Sequence, residues 1–417
     1  MKKKLFFYTI FVLVLFSNCS TKTEKNDFIE DNFSFANKQM RQMLIVLGDS
    51  SVKLPKTISD ENDELKCVTI HDWTSGFFPG TLWYLYEYTK DDFWRTSALK
   101  YTHLLEPIQN YTDHHDIGFM MYSSYGNAYR LTGNRDYESI LLNSAKSLST
   151  RYFSVPKTIR SWDHKKSWNG NEWHCPVIID NLMNLELLFF ASKLTNDSSF
   201  YKIAVNHADN TMKNHVRDDY SCYHVVDYDT ISGKVIDRAT FQGYSDNSAW
   251  ARGQSWAVYG FTVMYRETKD SKYLDVARKM ADFYLNHPNL PEDKVPYWDL
   301  NIEEDGFIPA WTYTDERKAK VKLKDTSAAA VMASALMELS SYVGKEGIVY
   351  YNSGEQMIKS LSDKYRNAID SGNYFILDHS VGNFPRNYEI DVPLNYTDYY
   401  YLEALLRYEK VKVKMHI

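Results

Sequence analysis

The stretch VIIDNLMNLELLFFAS, residues 177–192, sets one acid, Asp180, between three β-branched residues and a run of Leu, Met and Phe with the character of a helix core. Asp is common at helix N-termini, where its oxygen accepts unpaired backbone N–H groups and meets the positive end of the helix dipole. Capping is therefore one reading of Asp180. The other is chemistry: a carboxyl held in apolar surroundings, or beside a second carboxylate, keeps its proton to higher pH and can act as a general acid. A second acid, Asp116, stands in YTDHHDIGF beside His114 and His115. Two adjacent histidines could be metal ligands, but no third ligand follows at helical spacing. The chain also has no CxxC pair, HExxH motif or Asp-rich calcium loop, so no metal or other cofactor is expected.

Helices must position these residues. The segments YTKDDFWRTSALKY, LTGNRDYESILLNSA, LTNDSSFYKIAVNHA and ETKDSKYLDVARKMA each pass from a polar turn into an aromatic-led apolar pattern, with Trp94, Tyr137, Phe200 and Tyr273 in matching places. Apolar positions four and eight residues beyond, such as Ala204 and Ala208 or Ala277 and Ala281, fall on one helical face. Each unit reads as a helical hairpin. A fifth hairpin runs through TSAAAVMASALMELSSYVGKEGIVYYNSGEQMIKSLSDKY, and single helices in FSFANKQMRQMLIVL and TDYYYLEALLRYEK bring the count to twelve, an all-α chain of six hairpins. The intervals between the matched aromatics lengthen from 43 to 63 to 73 residues. A regular solenoid keeps its period, whereas a closed ring inserts loops on one face, so the spacing favours closure. The segments before the first helices of successive hairpins then converge at one end, where Asp180 and Asp116 could face one another across a pocket.

A net charge of −6 argues against binding a polyanion such as nucleic acid through a broad basic field, so an acidic ligand must be met by a local Arg or Lys. Aromatic residues make up 15 % of the chain, including 33 Tyr and 10 Trp, a high share for a soluble enzyme and suited to stacking sugar rings. The N-terminus reads as an export signal: MKKK is the positive region, LFFYTIFVLVLF is a 12-residue apolar stretch too short to span a bilayer, and FSNCS is a loose lipoprotein cleavage site ending at Cys19. The domain reading is a signal over residues 1–19, a polar tether over 20–30, and one catalytic domain over 31–417. Contact with a membrane is expected only through the lipid on Cys19, in the periplasm or on the outer membrane. Cys67, Cys175 and Cys222 are widely spaced and suggest no disulfide framework.

The motifs WTSGFFPGTLW, HDIGF, IIDNLMNL, YHVV, FQGYSDNSAWARGQSW, DTSAAAVMASAL and DYYYLEALLR together resemble the unsaturated glucuronyl hydrolases of glycoside hydrolase family 88, over about residues 70 to 407. The resemblance implies an (α/α)6 barrel. It also implies hydrolysis of oligosaccharides whose non-reducing end is a 4,5-unsaturated uronic acid left by a polysaccharide lyase, made from chondroitin, hyaluronan or heparin. Such enzymes hydrate a vinyl ether rather than cleave the bond between two flanking carboxylates. By motif position, Asp180 would be the acid and base and Asp116 the second essential acid. His115, His224 and Gln242 would hydrogen-bond the sugar. Trp73, Trp250 and Trp256 would form aromatic walls, and Arg252 would meet the uronate carboxylate. Lys318, Lys320, Lys322 and Lys324 alternate and could meet sulfate, or form a solvated charged edge. Members of the family are often soluble inside the cell, which the leader here contradicts. The alternatives are an unsaturated rhamnogalacturonyl hydrolase acting on pectin fragments, a sugar epimerase on a similar barrel, and a noncatalytic glycan-binding lipoprotein.

Overall fold

The structure, a computed structural model, describes residues 27–59, 64–311, 322–369 and 371–415. The leader with Cys19, and Lys318 and Lys320, lie outside the described residues. Residues 27–30, expected within the tether, are instead the first turn of helix α1 (Asp27–Leu47), where Asp27 and Glu30 suit the positive end of the dipole.

Twelve helices are present among the described residues. After α1 come α2 (Phe77–Thr89), α3 (Asp92–His103), α4 (residues 117–132, with a π turn at Tyr122–Gly126), α5 (Asp136–Ser149), α6 (Leu185–Thr195), α7 (Ser198–Asn214), α8 (Ala251–Thr268), α9 (Ser271–Leu285), α10 (Thr326–Ser340), α11 (Gly347–Lys364) and α12 (Asn395–Met415). Helices α2, α4, α6, α8, α10 and α12 touch in sequence and close back on α2, and the other six pack outside them, with α1 against α2 and α12. This is an (α/α)6 barrel.

The two layers differ in sequence as their burial requires. Every residue of α8 from Ala251 to Met264 is buried, as is α10 from Thr326 to Met337, and both are rich in small or apolar residues all round. The outer α9 buries only Tyr273, Val276, Ala277, Met280, Ala281 and Tyr284, a single stripe at helical spacing. The hairpin turns share one construction. A threonine at the end of the inner helix (Thr89, Thr132, Thr195, Thr268) back-bonds to the carbonyl four residues earlier. The next residue, Lys90, Gly133, Asn196 or Lys269, takes a left-handed conformation that ends the helix. Asp91, Asp197 or Asp270 then caps the outer helix by accepting a backbone N–H two residues on.

All eleven described strands precede inner helices, in five small antiparallel sheets that the helical reading did not anticipate. β1 (Leu54–Ile58) and β2 (Leu65–Val68) precede α2; β3 to β7, ending at Pro176–Ile178, precede α6; β8 (Val225–Tyr228) and β9 (Val235–Ala239) precede α8; β10 (Ser380–Asn383) and β11 (Tyr388–Val392) precede α12. Loops whose ends are fixed by helices satisfy their backbone groups by pairing locally. These pairings decide what meets at the barrel mouth.

Candidate active site

Strand β7 pairs with β8 in the register Ile178↔Val225, and the next residue, Ile179, donates its N–H to the His224 carbonyl at 2.9 Å. That ladder sets Asp180 beside His224. Asp180 is the second residue of a 3-10 turn, Ile179–Asn184, that leads into α6, and no side chain caps that turn. Its Oδ2 is buried without a hydrogen-bond partner, and His224 Nε2 is 3.8 Å away. Burial drives the Asp180 pKa up to about 7, against the pull of the Arg252 charge. The carboxyl is therefore not a helix cap but a desolvated acid.

Asp116 stands just before α4 and likewise caps nothing. Asn184 Nδ2 donates to its Oδ1 at 3.0 Å, and His115 Nε2 and His114 Nδ1 lie 3.3 and 3.6 Å from Oδ2. Burial pushes the Asp116 pKa up to about 8, with the charge of Asp180 adding to the rise and the Asn184 bond opposing it. His115 and His224 are held neutral, first by burial and then by nearby positive charge. His224 Nδ1 accepts the backbone N–H groups of Phe241 and Gln242 at 3.0 and 3.2 Å, which leaves the ring proton on Nε2, facing Asp180. His114, His115 and Asp116 bring ligand atoms within 4.8 Å of one another. His114 Nδ1 accepts the Asp116 N–H at 3.1 Å, which leaves its Nε2 as the open ring nitrogen.

These acids border a cavity of about 540 Å³, large enough for a sugar ring with part of its neighbour. Its wall includes Trp73, His115, Gln242 and Arg252 from the sequence reading. Trp73 lies 5.5 Å from Phe119 and 5.0 Å from Tyr396 between ring centres. Gln242 Oε1 accepts from Arg252 Nη2 at 2.9 Å. Arg252 differs from its expected use as a free fork for a carboxylate. Its Nη1 donates to Asp325 Oδ2 at 2.9 Å, to Ser327 and to the Val381 carbonyl, and Nη2 also donates to the Gly382 carbonyl. A guanidinium buried this deeply needs protein partners, and it ties α8 to α10 and to β10.

Trp250 and Trp256, expected as walls, lie behind the cavity lining. Trp250 backs His224 with ring centres 4.5 Å apart, and Trp256 is 0 % exposed between Phe119 and Tyr400. Lys322 and Lys324 are not at the cavity; Lys324 pairs with Asp293 at 2.8 Å and Lys322 donates to Asn289. The missed members are Trp162, Lys165, Phe241 and Arg386, with the buried pair Lys56 and Glu389 at 3.0 Å. Trp162 stands edge-on to both His115 and His224, at interplanar angles of 86° and 87°. Aromatic density in SWDHKKSW was the one signal in the sequence that could have flagged it.

A helical barrel whose mouth holds two desolvated carboxyls between neutral histidines and tryptophan rings is built for acid chemistry on a sugar. The model of Glycosyl Hydrolase Family 88 matches residues 51–413, and the chain belongs to that family. It is a glycosidase. The chain is 40 % identical to an unsaturated glucuronyl hydrolase of Formosa agariphila, over 99 % of this chain and all of that one. It is 44 % identical to the crystal structure of an unsaturated glucuronyl hydrolase specific for heparin, with a TM-score of 0.84 over 93 % of this chain and 98 % of that one. An Asp→Asn variant of the Streptococcus agalactiae enzyme, complexed with dGlcA-GalNAc6S, is 31 % identical with a TM-score of 0.73, covering 92 % of each chain.

Proposed function

We propose that the enzyme removes the 4,5-unsaturated uronic acid from the non-reducing end of lyase-made glycosaminoglycan oligosaccharides by hydrating the vinyl ether. The observation that carries this reading is Asp180: a buried carboxyl whose pKa of about 7 keeps much of it protonated near neutral pH, with an oxygen, Oδ2, that has no hydrogen-bond partner. Protonation of carbon needs such an acid. Asp180 gives its proton to C4, and positive charge develops at C5 and the ring oxygen. Asp116 stabilises that charge in its ionised form, which the Asn184 N–H favours against the burial that raises its pKa to about 8. Water adds at C5 and loses a proton to the Asp180 carboxylate, which restores the acid. The C5 hemiketal then opens and the aglycone leaves.

His115, on the cavity wall beside Asp116, suits hydrogen bonding to sugar hydroxyls, while His224 stands behind the wall with its Nε2 towards Asp180. Trp73 and Trp162 offer ring faces and edges to the sugar. Trp250 and Trp256 support the wall from behind. Gln242 and the field of Arg252 favour the end that carries the uronate carboxylate. Lys165 and Arg386 flank Phe241 at the edge of the cavity, with Lys165 Nζ 4.7 Å and the Arg386 guanidinium 5.6 Å from its ring centre. Neither has a carboxylate partner among the described residues. Burial, then repulsion from Arg386, lowers the Lys165 pKa, and an anion between the two cations would relieve that repulsion. This favours a sulfated or otherwise acidic leaving sugar over a neutral pectin fragment.

Loss of the ultraviolet absorbance of the conjugated C4=C5 uronate, followed with chondroitin, hyaluronan and heparin disaccharides, tests the activity directly. No loss with any of them, but loss with unsaturated rhamnogalacturonan fragments, would move the assignment to pectin. Binding without turnover would mark a noncatalytic glycan-binding protein. No helix among the described residues is long and apolar enough to cross a membrane. Anchorage through a lipid on Cys19 belongs to the same proposal, and fatty-acid labelling of the wild type but not of Cys19→Ala would support it.

A further inference from the structure

Asn184 is fully buried at the end of the turn that begins with Ile179, four residues beyond Asp180. Both ends of its amide are committed to the start of α4. Oδ1 accepts the Phe119 N–H at 2.9 Å, and Nδ2 donates to Asp116 Oδ1 at 3.0 Å. The two elements approach closely there: a Cβ placed on Gly118 would lie 2.5 Å from the Asn184 Cα and 2.7 Å from its Oδ1. A side chain at residue 118 would therefore wedge the two acid-bearing elements apart. We propose that Asn184 is a positioning residue, whose amide clamps the turn carrying Asp180 to the helix start carrying Asp116 and so sets how the two acids face one substrate. The inference rests on the hydration reading above.

The chemistry gives the clamp a second consequence. A carboxylate that stabilises charge at C5 must itself be charged, and an N–H donated to it favours the charged form. The groups that face Asp116 are His114 and His115 from its own loop, Asp180 from the opposite turn, Asp72 from the loop before α2, and Arg151 from the end of α5. Asp180 and Asp72 oppose ionisation and Arg151 favours it, while Asn184 supplies the side-chain N–H.

Two variants separate a positioning role from a folding one. Asn184→Asp keeps an oxygen for the Phe119 N–H but replaces the donor that faces Asp116; Asn184→Ser shortens the side chain. The expected result is folded protein in which kcat falls about tenfold or more with little change in KM, and the acid limb of the kcat profile rises by about one pH unit. The same Asn184→Ser change should cost nothing further in an Asp116→Ala background. Independently of turnover, the Asp116 carboxyl, followed by carbon-13 NMR, should titrate about one pH unit higher in Asn184→Ser than in wild type. An unmoved Asp116 titration, an unchanged pH profile in both variants, or loss of the fold in both would overturn the assignment. A wild-type protein that consumes no unsaturated uronate, with the NMR shift still present, would count against the activity and leave the clamp standing.

Discussion

The barrel has two polar interiors, one at each end, and they handle buried charge in opposite ways. At the end away from the strands lies a second cavity of about 430 Å³, separated from the first by Phe119, which lines both. Its Glu403 accepts from Tyr84 at 2.9 Å, from Tyr259 at 3.1 Å and from Ser334 at 2.6 Å, and pairs with Arg407. Arg266 pairs with Glu186 and with Glu338, and Arg407 also pairs with Glu338. Each of these carboxylates has its countercharge and its donors. At the mouth, Asp180 has an oxygen with no donor, and both catalytic candidates are pushed towards the protonated form. The inner helices and the turns that lead into them supply both sets. Satisfied polarity holds helices together; polarity left unsatisfied is available to a substrate.

Asp180→Asn should break the contrast most severely. It removes the proton donor and, in return, the buried acid, so turnover should fall by about 10²–10⁴-fold with the fold intact. Loss of uronate absorbance measures the rate, and a thermal melt reports the fold. A variant that kept wild-type turnover would remove Asp180 from the chemistry. Glu403→Ala should do the reverse. It leaves Arg407 buried with one fewer partner and should cost about 3–5 kcal/mol of stability, while the protein that remains folded keeps its KM. Denaturant unfolding and kinetics on the folded fraction check the two halves.

The regular end was easier to read from sequence than the mouth. The Thr, left-handed residue and Asp or Asn of four hairpin turns recur at fixed offsets because these turns solve the same capping problem, so the matched aromatics located the helices. Asp180 was legible because an acid amid Val, Ile, Leu and Phe breaks a local pattern. Trp256 was not, since a ring in the core beneath a pocket and a ring on its wall occupy the same helical positions. The protein partners of Arg252 were hidden for a related reason: Asp325, Val381 and Gly382 lie 73 to 130 residues away, beyond any local pattern. Trp162, Lys165 and Arg386 sit on short strands and loops with no period of their own, and only the pairing of those loops brings them to the cavity.

The desolvated acids should also make activity and stability fall together as pH rises. A carboxyl whose pKa is raised in the folded state binds more protons folded than unfolded, so its contribution is fully present in acid and is lost as pH rises through the folded value. For Asp180 the window runs from the ordinary carboxylate value up to about 7. Asp180→Asn should therefore be more stable than wild type, by on the order of 2 kcal/mol at pH 8 and by much less at pH 4. Unfolding free energies at the two pH values test this, and an equal difference at both would contradict a raised Asp180. Turnover of the wild type should fall above about pH 7, as the acid loses its proton.

The smallest effect expected concerns the cations at the edge of the mouth, and it sharpens the comparison rather than breaking it. Arg266 and Arg407 sit among carboxylates, whereas Lys165 and Arg386 rest against the Phe241 ring with no carboxylate partner among the described residues. If these cations meet the leaving sugar, Lys165→Ala and Arg386→Ala should raise KM for a sulfated disaccharide by about five- to tenfold each, the value of a partly exposed ion pair, and should scarcely change KM for an unsulfated one. Both should leave kcat and thermal stability near wild type, because neither side chain holds the barrel together. An equal change with both substrates would mean that the two cations shape Phe241 and the cavity wall instead of reading charge on the aglycone.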